Sequence, residues 1–131
     1  AETCQRALDA AAEAMQSLDA LGAARAAAGL PGVSVDLALH LGEVLYGNVG
    51  AADRLDFTVI GPAVNEVARI EALCEPLGRQ VLVSAEFVAA DRRAGGALES
   101  LGFHALRGVR ERKEIFALTV GAAHPDAAAA S

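Results

Sequence analysis

The sequence predicts an α+β fold, with helices packed on a sheet, and three observations carry that reading. The 131 residues are 53% hydrophobic, enough for one packed core and too few for two domains. Apolar side chains recur at steps of three and four in some segments and at steps of two in others. The resulting order is helix, two strands, helix, strand, small helix, two strands, which is not a regular βαβ alternation.

The first helix is expected from Glu2 to about Ala28. Cys4, Leu8, Ala11, Met15 and Leu18 form its apolar face, while Arg6, Asp9, Glu13, Gln16 and Asp19 fall largely elsewhere on the wheel. Gly29 and Pro31-Gly32 supply the stop. The repeat fades at Gly22, so a core-facing helix fits better than a coiled coil. A strand follows over Val33 to His40, where Val33, Val35, Leu37 and Leu39 alternate with smaller or polar residues. Glycines at 42, 47 and 50 then punctuate a β-like piece, Val44-Leu45-Tyr46. The polar segment GAADRLD leads to Phe57-Thr58-Val59-Ile60, predicting a hairpin-like arm.

Pro62 suits the first turn of a second helix, with Gly61 just outside it. Ala63, Val67, Ile70, Cys74 and Leu77 make a buried stripe running to about Gly78. Gln80 to Ser84 reads as a short apolar strand and Glu86 to Arg93 as a small helix. Phe103 to Arg107 and Glu114 to Val120 frame the charged turn VRERK as a final hairpin. Residues 1–120 form the folded unit and 121–131 an Ala-rich tail without core-forming side chains other than Ala. The opening helix needs a sheet to cover, yet no strand precedes it, so the chain is expected to be the rear portion of a larger domain.

No run of apolar residues approaches the ~20 of a membrane span, and no basic and apolar leader opens the chain. Cys4 and Cys74 stand far apart without a CxxC, which fits reduced thiols, a cytoplasmic location and no structural zinc site. A formal net charge of -6 disfavours adhesion to nucleic acid or an anionic membrane. It leaves room for a local basic pocket that takes a nucleotide.

Asn65 and Arg69 are the residues most suggestive of chemistry. One step of four puts them on the same side of the helix near its positive end, where an anion would meet backbone N-H groups and a guanidinium. The alternative is an Arg69–Glu66 pair at i,i+3 on a solvated face, which contributes only a few tenths of a kcal/mol. His40 lacks a second histidine or a carboxylate at ligand spacing and reads as a hydrogen-bonded structural residue.

The segments HLGEVLYGNVG and RLDFTVIGPAVNEVARIEAL resemble the second half of the catalytic domain of class III adenylate and guanylate cyclases. The likeness runs on through QVLVSAEFV into LGFHALRGVRERKEIFAL and back into the Ala-rich helix, covering roughly residues 3–118. N-x-x-x-R alone is a weak motif, but joined to TVIG, the glycine-spaced arm and the terminal hairpin it is specific. The resemblance implies a ferredoxin-like cyclase fold lacking its N-terminal strands and first helices.

It also implies a reaction in which the ribose 3'-hydroxyl of ATP attacks the α-phosphorus and expels pyrophosphate. Asn65 would orient the ribose and Arg69 would stabilise charge on the reacting phosphoryl group. Thr58 stands where the family reads the purine, and Thr there favours ATP over GTP, with the Val59 backbone beside the base. Arg107, in LRG, matches a basic position used against the triphosphate; as a hairpin arginine near Arg110, Arg112 and Lys113 it reads equally as a solvated charge.

Such enzymes hold two Mg²⁺ or Mn²⁺ ions on two aspartates of the domain's front half, and neither aspartate motif occurs in this chain. Pro62 stands where many relatives carry Asp. The family builds its sites between two head-to-tail catalytic domains, so the expected partner is a second such domain in a homodimer. This chain alone is expected to be inactive. The competing expectation is a non-catalytic cyclase-like module that regulates or dimerises. A ferredoxin-like nucleic-acid binder is disfavoured by the acidic charge and by the 4% aromatic content.

Overall fold

The computed structural model describes residues 2–48, 57–90 and 98–118. Its core is a four-stranded mixed sheet covered on both faces by helices. The elements are α1 (Glu2–Ala27), β1 (Leu37–Leu39), β2 (Leu45–Asn48), β3 (Phe57–Ile60), α2 (Pro62–Glu71), α3 (Cys74–Leu77), β4 (Val81–Ser84), α4 (Ala85–Ala90), β5 (Leu98–His104) and β6 (Lys113–Leu118). The strand order is β1-β4-β6-β5, and β2 pairs with β3 in a separate two-stranded arm. β1 runs parallel to β4 with Leu37 opposite Val81, whereas β4–β6 and β5–β6 are antiparallel.

Period-two alternation in the central strands decides which helix covers which face. Val81, Val83 and Leu118 pack with Cys4, Leu8, Ala11 and Met15 of α1 and with Phe87 of α4. Leu82, Ile115 and Ala117 point the other way, onto Ile70 and Cys74. The predicted apolar faces of both long helices are therefore the buried ones, and the two cysteines lie on opposite sides of the sheet as free thiols.

α1 ends as Gly29 predicts. The Leu30 N-H donates to the Arg25 carbonyl at 2.8 Å and the Gly29 N-H to the Ala26 carbonyl at 3.1 Å, with Gly29 at φ 74°. These are the two bonds of a Schellman stop, which needs a left-handed residue. Ser84 caps α4, its Oγ accepting the Phe87 N-H at 3.1 Å inside the core.

Several boundaries differ from the sequence reading, each for a physical reason. The strand expected from Val33 begins only at Leu37, because its neighbour β4 starts at Val81 and offers no ladder further back; Val33 and Val35 are exposed. Three strands, not two, separate the long helices. The second helix breaks at 72–73 before the short turn α3, although its stripe stays on the core side. β5 starts at Leu98, earlier than expected, and bulges between Ser100 and Phe103, where Gly102 takes φ 86°. Arg107 consequently sits beyond the strand, in a turn. The 121–131 tail, the arm connection around 49–56 and the end of the small helix near Arg93 lie outside the described residues.

Where the arm meets α2 the contact is close. A Cβ on Gly42 would lie 2.6 Å from the Ala63 Cβ, so only glycine lets the chain pass there. Gly61, at φ 141°, makes the sharp entry from β3 into α2.

Candidate functional site

A groove of about 400 Å³ opens between the first turns of α2 and the β5–β6 connection, lined by Pro62, Asn65, Glu66, Arg69, Arg107, Gly108 and Val109. Three of the sequence-predicted residues, Asn65, Arg69 and Arg107, are thereby brought together. The cause is packing of their neighbours. Ile70 and Leu106 are buried in the same cluster, at 1% and 4% exposure, and each is adjacent in sequence to one of the arginines.

Arg107 is displayed by a tight turn. The Val109 N-H donates to the Leu106 carbonyl at 3.0 Å, and Gly108 takes φ 84° at the position where such a turn needs a left-handed residue. Leu106 thus anchors the turn while the Arg107 side chain stays exposed. On α2, Pro62 occupies the first helical position and Gly61 contributes no side-chain cap. The groove therefore lies against a helix start with positive dipole.

Neither Arg69 nor Arg107 forms an ion pair among the described residues. The pair expected as the alternative, Arg69 with Glu66, does not form. Glu66 Oε2 instead lies 2.9 Å from His40 Nε2, and Glu86 Oε2 lies 3.5 Å from His40 Nδ1. The His40 side chain is 4% exposed. Its Nδ1 lacks a hydrogen-bond partner, so the contact with Glu86 is not a directed bond. Lys113 Nζ stands 3.5 Å from the other Glu86 oxygen. His40 is buried against polar partners, as expected, but these are carboxylates from α2 and α4, far off in sequence, and local spacing has no signal for them.

His40, Glu66 and Glu86 place ligand-type atoms within 4.8 Å of one another. They make a poor cation site, because different ring nitrogens face the two carboxylates and an ammonium already sits on Glu86. The groove itself, with two guanidiniums and one carboxylate turned toward an imidazole, does not fit divalent cations either.

Val59 lies on β3 opposite Tyr46, 43% exposed, and does not line the groove. Of Thr58 only the backbone position is described, opposite Gly47 on β2. Cys74 is no nucleophile. Burial first, then the charges of Asp36 and Glu71, push its thiol up to about 12, and its Sγ donates weakly to the Leu37 carbonyl at 3.6 Å.

No family model matches the chain. Over 60 residues, 46% of its length, it is 45% identical to an adenylate cyclase of Anabaena cylindrica. It also superposes on a bacterial light-regulated adenylyl cyclase with a TM-score of 0.56 and 27% identity, over 69% of this chain and 25% of that one. The chain is a relative of the class III nucleotide cyclase catalytic domains. The guanylyl cyclase Cya2 shares the fold over 93% of this chain and 60% of its own, with a TM-score of 0.69 and 23% identity. The matched stretch spans 12% of the length of the Anabaena cyclase, so this chain corresponds to a small part of that relative.

The chemistry of the groove lining suits an anion. Two guanidiniums, a helix start and an exposed amide face one concave surface on a protein that is acidic as a whole.

Proposed function

We propose that this chain supplies the ribose- and phosphate-handling part of an adenylate cyclase site that converts ATP to cyclic AMP and pyrophosphate. The observation that carries this reading is the convergence of Asn65, Arg69 and Arg107 on one groove at the start of α2. In the reaction the ribose 3'-oxygen forms a bond to the α-phosphorus while the bond from that phosphorus to the bridging oxygen of pyrophosphate breaks. Phosphoryl transfer of this kind depends on positioning and on electrostatic stabilisation of the charge on phosphoryl oxygens.

In this reading Asn65 holds the ribose, Arg69 stabilises the reacting phosphoryl group and Arg107 meets the triphosphate. Thr58 and the Val59 backbone read the purine and favour ATP over GTP. The two Mg²⁺ or Mn²⁺ ions belong to aspartates that this chain does not contain, because its own groove residues do not fit them. Those aspartates belong to the front half of the parent's catalytic domain, and a second parent chain docked head to tail supplies them, in a homodimer acting in the cytoplasm.

The test is Arg69→Ala in the parent protein, measured under steady-state conditions with ATP. Turnover is expected to fall about 10²- to 10³-fold with KM changed only a few-fold, as for loss of a group that acts in the transition state. Equal losses in turnover and nucleotide affinity, or no loss, would overturn the assignment. A parent protein that binds nucleotide without any turnover would point to a regulatory module instead.

A further inference from the structure

Glu66 is an anomaly in the groove. A carboxylate among the residues lining an anion site repels the ligand that the neighbouring guanidiniums attract. We infer that His40 is a positioning residue that acts through Glu66, masking its charge and holding it away from Arg69 so that the groove keeps its positive character. This rests on the groove being a phosphate site, and it deepens that reading by assigning a task to a residue outside the groove lining.

The geometry supports it at each step. Glu66 lies three residues before Arg69, within reach of the guanidinium on the helix surface. Its Oε2 is turned instead to His40 Nε2 at 2.9 Å. His40 directly follows β1 and its side chain is almost wholly buried, so it does not swing away with solvent. At 2.9 Å, Nε2 stands at hydrogen-bond distance from Glu66 Oε2, so an N-H there takes up the carboxylate oxygen and fixes its direction. Glu86, the second carboxylate, is steadied by Lys113 of β6. The result is an alternating row, Glu66, His40, Glu86, Lys113, that runs from α2 past the end of β1 to α4 and β6.

Removing the imidazole exposes the groove to an unmasked carboxylate, which has two routes to harm. It repels phosphate directly, and it is free to pair with Arg69. Both disappear if Glu66 is neutralised as well. A purely structural histidine behaves differently, since losing its partner too does not repair the damage.

The experiment measures inorganic pyrophosphate binding by calorimetry, and ATP turnover in parallel, for the parent protein and its His40→Gln, Glu66→Gln and double variants. His40→Gln is expected to weaken pyrophosphate binding and lower kcat/KM by about tenfold. The double variant is expected to return to within about threefold of the parent, and Glu66→Gln alone to leave pyrophosphate binding within about threefold of it, because the carboxylate is already masked. A double variant as impaired as His40→Gln overturns the inference. If His40→Gln does not fold, Glu66→Gln decides by itself, and pyrophosphate binding tightened about tenfold in it, the mark of a carboxylate unmasked in the parent, overturns the inference. The cyclase reading is judged separately. If Arg69→Ala leaves turnover intact that reading fails, while the pyrophosphate measurements still test the masking of Glu66.

Discussion

An amide and a guanidinium four residues apart acquire meaning from what faces them. Asn65 and Arg69 share a helix side by spacing alone, so their proximity is legible in the sequence. Their meeting with Arg107 is not, because it depends on Ile70 and Leu106 sharing one buried cluster across the fold. The alternative, a pair of Glu66 with Arg69, fails for the same reason. A local i,i+3 pair contributes a few tenths of a kcal/mol, and a long-range contact with the buried His40 outcompetes it. At this scale the base-reading role proposed for Thr58 makes a sharp prediction. Replacing a hydroxyl that both donates and accepts by a thiol weakens its hydrogen bonds to the purine edge. Thr58→Cys in the parent protein is expected to shift the ratio of ATP to GTP kcat/KM toward GTP, and an unchanged ratio removes Thr58 from the specificity set.

Among the elements, the long amphipathic helices were the most legible and the strand ends the least. The stripe from Ala63 to Leu77 survives a break at 72–73, because α3 restarts with Cys74 still facing the sheet. Strand limits depend on neighbours that sequence does not name, which is why β1 is short and β5 long. Cys74 ties α3 to β1 and is the element-scale source of a pH effect. Burial, with Asp36 and Glu71 adding to it, raises its thiol from 9.0 to about 12 in the folded state. Above pH 9 the unfolded chain loses that proton and the folded one keeps it. Stability is therefore intact below 9 and falls as pH climbs toward 12, by at most about 1.4 kcal/mol per unit. Urea midpoints of the protein and of Cys74→Ala, measured from about pH 8 to 11, are expected to converge as pH rises. Parallel curves would show that the thiol does not drive the fall.

At the scale of the whole molecule, the two faces of the sheet are covered and the arm is not. Leu45 and Tyr46 are each 70% exposed on β2, and Ile60 is 50% exposed on β3. An apolar ribbon of this kind is costly in water unless it docks, and a partner surface of matching character is the usual reason for it. The groove has a complementary deficit, since it is cationic and does not fit the metal ions that the proposed reaction requires. Both features follow if two domains exchange what each lacks, with one contributing Asn65 and Arg69 and the other the metal-binding carboxylates. The decisive measurement is complementation in the parent protein. An Arg69→Ala variant and a variant without the metal carboxylates are each expected to be nearly inactive. Mixed, they form heterodimers in which one of the two shared sites has every group intact, so turnover returns. Complementation also separates a shared site from two self-contained ones, because sites built within single chains would stay inactive however the variants were mixed. Mixing that restores nothing, although heterodimers are seen in the mixture, would overturn the shared-site reading. Restoration that disappears when Leu45→Arg and Tyr46→Arg are introduced into both chains would assign the docking to the arm.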